Sequence, residues 1–266
     1  MTTRSSQPVA LTIAGSDSGG GAGVQVDLKT FAAFRVHGTS AITCLTAQNP
    51  RAVLGIHPTP PGFLRQQLEA LFAELPPSAV KTGMLFSRAN IRVAIDWFRA
   101  PGRPPLVVDP VMVASSGARL LRPAAIKALI EGLLPLARLV TPNLDEAQIL
   151  VGRPLRSIED LRSAAREIHQ AYGCAALVKG GHLRQMREAV DIFYDGREEL
   201  LLTAPFVRGV TTHGTGCTYS AAITACLAMG HPLNKSVRRA KEHITGAIAH
   251  SIRIGRHSTL DAFWRR

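Results

Sequence analysis

Val9-Ala10-Leu11-Thr12-Ile13-Ala14 runs without a break into Gly15-Ser16-Asp17-Ser18-Gly19-Gly20-Gly21-Ala22-Gly23. The first six residues form a short apolar run of strand type, and Asp27, Leu28, Phe31, Ala32 and Phe34 continue beyond the glycines at helical spacing. Strand, glycine loop and helix in that order predict an α/β unit whose loop lies at the carboxyl end of a strand, where such folds bind ligands. The loop is no Walker A sequence, since no Gly-Lys-Ser/Thr follows, and it is no clean dinucleotide fingerprint. A purely structural turn stands beside the ligand loop as a reading.

The same order recurs along the chain. Thr39 to Thr46 reads as a second strand and ends in Ala47-Gln48-Asn49-Pro50; Gln48 can donate to and accept from a heterocycle edge, while Asn49 also suits a turn closed by Asn-Pro. Gly62 to Glu74 and Asn90 to Phe98 have helical spacing, and Ala79 to Met84 between them reads as strand and turn. Leu106-Val107-Val108-Asp109-Pro110-Val111-Met112 has the unbroken apolar character of a parallel strand buried on both faces. A helix from Ile158 to Ala171, a strand from Ala175 to Lys179 closed by Gly180-Gly181-His182, and a hairpin of Val190–Tyr194 with Leu200–Thr203 about Asp195-Gly196 follow. A last helix is expected from Val237 to Ile252. Alternation without linkers or repeats predicts one α/β/α domain over residues 1–266, with residues 1–8 as a flexible N-terminus.

Polar and glycine clusters fall at the carboxyl ends of these strands, around Gly15, Gln48, Gly83, Asp109, Asn143 and Lys179. Asp109 can hold a hydrated magnesium ion or cap the next turn. Asn143 and Glu146, three apart, place an amide and a carboxylate on one helical face. Lys179 can reach phosphates as a point charge, or can be a solvated lysine. In His213-Gly214-Thr215-Gly216-Cys217-Thr218-Tyr219-Ser220 a glycine turn enters a helix, a geometry whose N–H groups bind anions. Cys217 then falls in the first turn, where the helix dipole favours a thiolate; the alternative is a small buried hydrophobe. Convergence of these clusters on one sheet edge argues for a site more strongly than any single motif.

Thirty-one Lys+Arg against nineteen Asp+Glu give a formal charge of +12, which suits anionic, phosphorylated ligands. The basic residues are scattered and aromatics are only 5%, so no stacking platform for nucleic acid is present. The polar start Met1 to Gln7 lacks the order of a secretory signal, and no apolar run reaches membrane-spanning length, so a cytoplasmic protein is expected. Cys44, Cys174, Cys217 and Cys226 are far apart and lack zinc spacing, which predicts reduced thiols.

Taken in order, LTIAGSDSGGGAG (11–23), QVDLKTF (25–31), TAQN (46–49), KTGML (81–85), VVDPVM (107–112), TPNLDEA (141–147), VKGGH (178–182) and HGTGCTYSAA (213–222) carry a family likeness. From Ala10 to Trp264 the chain resembles the hydroxymethylpyrimidine/phosphomethylpyrimidine kinases of thiamine biosynthesis, in the ribokinase-like superfamily. The resemblance implies a three-layer α/β/α fold with a central, mostly parallel sheet and a small β edge or lid. It implies phosphoryl transfer from ATP to 4-amino-5-hydroxymethyl-2-methylpyrimidine, then to its monophosphate, in a homodimer. Gly15, Ala22, Asp27, Gln48, Met84 and Val111 would surround the pyrimidine. Asp109, Asn143 and Glu146 would serve ATP and Mg²⁺, with Asp109 and Glu146 acting on the metal through water, and Lys179 would lie along the phosphates. Gly214, Thr215, Gly216 and Cys217 would form the anion hole, with Cys217 as the candidate base. Ser116-Gly117-Ala118 departs from the Ser-Gly-Asp usual in the family. A pyridoxal kinase, which shares the glycine loop and the Gly-Thr-Gly-Cys turn, is the rival reading; a non-catalytic nucleotide- or nucleic-acid-binding protein is the rival of another class.

Overall fold

The computed structural model describes residues 7–112, 121–181, 183, 188–207, 210 and 213–265. The expectations for Ser116-Gly117-Ala118, His182 and the first six residues of the N-terminus therefore lie outside the described residues. Gln7 and Pro8 are not loose: Gln7 Nε2 donates to the Arg35 carbonyl (3.0 Å), and the Pro8 carbonyl accepts from His37 N (2.8 Å).

The chain forms β1 (Val9–Asp17), α1 (Gly23–Ala33), β2 (His37–Gln48), β3 (Val53–Pro58), α2 (Pro61–Glu74), β4 (Ala79–Thr82), α3 (Arg88–Phe98) and β5 (Leu106–Val108). It continues with α4 (Pro123–Ala128), β6 (Leu139–Val140), α5 (Leu144–Val151), α6 (Ile158–Tyr172), β7 (Ala175–Lys179) and the hairpin β8 (Glu188–Tyr194) and β9 (Glu199–Pro205). The last elements are α7 (Thr215–Ala228), α8 (Leu233–Ala249) and the small pair β10 (Ile252–Ile254) and β11 (His257–Thr259). Among the described residues one nine-stranded sheet has the order β3-β2-β1-β4-β5-β6-β7-β8-β9. The strands from β2 to β7 are parallel, and β3, β8 and β9 join antiparallel at the two edges.

The chain grows outward from β1 through β2 and β3, then returns to β4 on the other side of β1. That reversal is the switch point at which an open α/β sheet leaves a crevice at its strand ends. Both faces are covered, which explains the continuous apolar runs. Leu106 and Val108 of β5 pack beneath α2 to α6, while Val107 between them packs with Tyr219 and Val237 of α7 and α8. Each such buried side chain contributes roughly 1.5–3 kcal/mol.

Four local differences from the sequence reading have physical causes. β5 stops at Val108, before Pro110, which has no N–H for a ladder. β3 gave no alternating signal because all six of its residues are exposed. The last helix begins at Leu233, behind Pro232, and ends at Ala249; Ile252 lies instead in the β10–β11 pair, opposite Thr259. Asn143 and Glu146 form a capping box at the start of α5: the Asn143 side chain accepts from Glu146 N, and the Glu146 carboxylate accepts from Asn143 N.

Candidate active site

At the switch point the strand ends surround a cavity of about 330 Å³. The residues that the family likeness marks for the site all line it: Gly15, Ala22, Asp27, Gln48, Met84, Val111, Asp109, Asn143, Glu146, Lys179 and the Gly214-Thr215-Gly216-Cys217 turn. Asp17, Val53, Ile56, Lys81 and His213, which sequence reasoning passed over as site residues, line it as well.

The glycine loop is folded around Asp17. Its Oδ1 accepts from Gly19 N (2.8 Å), and its Oδ2 accepts from Gly21 N (3.2 Å) and Ala22 N (2.8 Å). The loop amides are thus partly turned onto the chain's own carboxylate. Burial alone would raise the Asp17 pKa, but hydrogen bonds from His213 and from the Gly19 and Ala22 amides bring it below the usual range. His213 Nε2, 3.4 Å from Asp17 Oδ2, links this loop to the turn before α7. Gly15 leaves the space taken by Met84 Cε and Cys44 Sγ; a β-carbon there would stand 2.8 and 2.9 Å from them.

Gln48 is half-buried, with its side-chain oxygen 3.4 Å from the Thr46 hydroxyl and its backbone clamped by the Ser18 hydroxyl. Val111 has φ 43°, a left-handed conformation that is costly for a β-branched residue. Strain of this kind gathers at functional sites, where the surroundings impose it.

Asp27 differs in standing from its neighbours. It is wholly buried: Oδ1 accepts from Lys81 Nζ at 2.7 Å and Oδ2 from the Thr12 hydroxyl at 2.7 Å. Lys81 is equally buried; burial opposes its charge, but the Asp27 carboxylate, with Asp109 behind it, holds its pKa above the ordinary lysine value.

Asp109 is a second hub. It accepts from the Thr141 hydroxyl (3.2 Å), Lys179 Nζ (3.3 Å) and the Ser220 hydroxyl (3.2 Å). Gly216 keeps this junction open: a β-carbon on it would stand 3.2 Å from Lys179 Nζ and 3.7 Å from Asp109 Oδ2. The start of α7 is capped by Gly214 at φ 82°, with no side-chain cap, so its N-terminus opens onto Lys179 and Asp109. Glu146 is buried, with its oxygens on Met112 N and Asn143 N (3.0 Å each); burial, reinforced by Asp109 against the pull of Lys179, pushes it up to about 7.

Cys217 departs from expectation. The helix dipole predicted a lowered thiol pKa, but burial raises it to about 11; Lys81 and the Gly23 N–H pull it down, while Asp27 and Asp109 push it up. With desolvation and two carboxylates outweighing Lys81 and the Gly23 N–H, the protonated thiol is favoured at neutral pH. Cys44, Cys174 and Cys226 are buried, and all four cysteines are free thiols. Among the described residues no three His, Cys, Asp or Glu side chains cluster as a metal site, and no helix is long and apolar enough to cross a membrane.

Comparison with known proteins agrees with this geometry. A family model described as Phosphomethylpyrimidine kinase matches residues 17–260. The chain is 48% identical over 247 residues to the hydroxymethylpyrimidine/phosphomethylpyrimidine kinase of Rhizobium meliloti, covering 92% of each. It is 47% identical over 246 residues to the thiamine biosynthesis bifunctional protein ThiED of Geobacter sulfurreducens, spanning 92% of this chain but half of that longer protein. In three dimensions it resembles an ADP complex of Bacillus subtilis pyridoxal kinase, with a TM-score of 0.89, 38% identity, and coverage of 97% of this chain and 98% of that one. With the family match running from the Asp17 loop past the Gly-Thr-Gly-Cys turn, and relatives nearly half identical over 92% of the chain, the chain belongs to the phosphomethylpyrimidine kinase family.

Proposed function

We propose that this chain is a single kinase domain that transfers the γ-phosphoryl group of ATP to the hydroxymethyl group of 4-amino-5-hydroxymethyl-2-methylpyrimidine, and then phosphorylates the monophosphate, for thiamine biosynthesis. The observation that carries the reading is the junction at Gly216, where the uncapped start of α7, Lys179 and Asp109 meet at one end of the cavity. Phosphoryl transfer needs alignment and neutralisation of charge on the moving oxygens more than it needs covalent chemistry. The N–H groups of the Gly214–Cys217 turn and the Lys179 ammonium supply fixed positive charge for that purpose.

The ring lies against Gly15, Ala22, Met84 and Val111, with the Gln48 amide reading its polar edge. Asp27, already held by Lys81 and Thr12, shapes the floor there. Cys217 Sγ lies where the acceptor hydroxyl is presented. Its proton is in place at rest, so it orients the hydroxyl in most molecules and takes a proton only in the minor thiolate form.

The donor set fits Mg²⁺ held through water. Asp109 and Glu146 are two carboxylates whose charges oppose each other in a buried site, and the Asn143 side chain lines the same wall. Bound there, Mg²⁺ would neutralise phosphate oxygens. The residues themselves orient it: Thr141 and Ser220 fix Asp109, and the capping box fixes Glu146. The same reading carries a cytoplasmic homodimer, and sedimentation of the purified chain tests the dimer.

ADP release measured with the pyrimidine alcohol and with pyridoxal tests the substrate. The pyrimidine is expected to turn over faster. Good turnover of pyridoxal with none of the pyrimidine overturns the choice and returns the site to the pyridoxal kinase reading, which the structural likeness to the Bacillus subtilis enzyme keeps in view.

A further inference from the structure

Lys241 of α8 and Asp191 of β8 form a second buried ion pair beside the cavity. Lys241 Nζ is 2.7 Å from Asp191 Oδ2 and 3.3 Å from the Ala189 carbonyl, and the two side chains are only 11% and 6% exposed. Apart from the buried Tyr219 hydroxyl beside Asp191, their surroundings are largely apolar: Ile244 and Ile248, with Lys241 and Thr245 on the same stripe of α8, line the cavity here together with Ala189 and Ala204. Taking two charges out of water costs several kcal/mol per ion, and well-packed apolar residues of similar volume do as well or better for stability. Stability therefore does not explain the pair.

The second oxygen of Asp191 does. Oδ1 accepts from Gly180 N at 3.2 Å, and Gly180 N also donates to the Val190 carbonyl at 2.9 Å. Gly180 directly follows Lys179. It has no room for a β-carbon, which would collide with the Val190 carbonyl and stand 2.5 Å from Leu161 Cδ1. On its other side Lys179 is held by its own N–H to the Pro142 carbonyl (2.9 Å) and by an isolated bridge to Asn143. The chain at Lys179 is thus pinned from two directions, and the pin on the Gly180 side ends in a charge that reaches back to α8.

We propose that the Lys241–Asp191 pair is a positioning device for Lys179: by fixing the Gly180 amide it sets the direction in which the Lys179 side chain leaves β7, toward Asp109 and the start of α7. The proposal rests on the nucleotide-side role given to Lys179 above. Both charges act through the backbone of the Gly180 turn, and their removal affects ATP and the phosphoryl transfer rather than the binding of the pyrimidine.

The test uses the full chain in four forms: Lys241→Met, Asp191→Leu, the double exchange, and the double exchange added to Lys179→Ala. Melting temperature, ATP affinity by titration, kcat, and KM for the pyrimidine alcohol are read for each, beside Lys179→Ala alone. Each single exchange is expected to lower the melting temperature, and the double exchange to restore most of it. ATP affinity or kcat stays about tenfold to a hundredfold below the parent in the double exchange, while KM for the pyrimidine moves little. In the Lys179→Ala background the double exchange costs nothing further, because the residue it positions is gone. A double exchange with parental ATP affinity and kcat overturns the proposal and makes the pair structural. An equal loss with and without Lys179 also overturns it. A Lys179→Ala chain with parental kcat sinks the role of Lys179 itself, and the positioning role falls with it.

Discussion

The Lys81 ammonium lies 2.7 Å from the Asp27 carboxylate, and neither side chain reaches solvent. A fully buried pair of this kind is far costlier to break than to lack, since removing one partner strands the other charge away from water. Lys81→Met and Asp27→Leu are each expected to destabilise the chain by about 3–5 kcal/mol in denaturant titrations, and the double exchange by much less than their sum. Additive losses would show that the two residues do not act as a pair.

Gly214 turns at φ 82°, and a β-carbon on it would collide with the Gly21 carbonyl of the glycine loop. Gly214→Ala therefore forces the loop and the start of α7 apart at the site proposed for the phosphoryl group. Kcat is expected to fall by about a hundredfold or more, the size of losing one oxyanion donor. Unfolding free energy should fall as well, by about 1–3 kcal/mol from the backbone strain together with the cost of displacing the loop. Parental kcat in a folded Gly214→Ala chain would count against the anion-hole role of this turn.

The parallel core and the polar strand ends were legible because the core strands have distinct apolar runs and the loops after them carry glycine, amide or acidic clusters. Leu106-Val107-Val108 announces burial on both faces, and the cavity gathers Gln48, Asp109, Lys179 and Cys217 as the convergence of strand ends predicts. What escaped was decided by long-range partners. Lys81 reads as an ordinary strand-end lysine until α1 brings Asp27 beneath it. Asp17 reads as one more loop residue, although the loop wraps its carboxylate. β3 carries Val53, Leu54 and Ile56 on a hairpin with no buried face, so no period marks it. The Asn143/Glu146 capping box, by contrast, was within reach of the sequence, since an Asn followed by Glu at the third position is a helix-start signal.

His243 carries a pH dependence of stability. Its ring packs against Phe34, with centroids 4.8 Å apart, and burial together with the charge of Arg265 pushes its pKa from 6.5 down to about 4. Between those values the unfolded chain takes up a proton that the folded chain refuses. Stability is therefore full above pH 6.5 and is lost as pH falls, by on the order of 3 kcal/mol at about pH 4 from this residue. Urea unfolding between pH 7 and pH 4 should show this slope, and His243→Phe should remove that part of it. An unchanged slope in the Phe variant would assign the acid sensitivity to other groups.

The thiol of Cys217 sets the last expectation, because its pKa of about 11 lies far above neutral pH. If its thiolate removes the proton of the acceptor hydroxyl, the competent fraction grows about tenfold for each pH unit below that value. Kcat for the pyrimidine alcohol should then climb steadily from pH 7 to pH 9, provided that the chemical step limits turnover. Single-turnover mixing of enzyme, ATP and pyrimidine isolates that step. Cys217→Ala should lower the single-turnover rate and flatten its rise with pH, while ATP affinity stays close to that of the parent. Cys217→Ser separates the two roles: a hydroxyl can orient the acceptor but ionises even less readily than the thiol. A serine variant with parental rate and a flat profile would assign Cys217 to orientation alone, with the proton leaving by way of the phosphate oxygens.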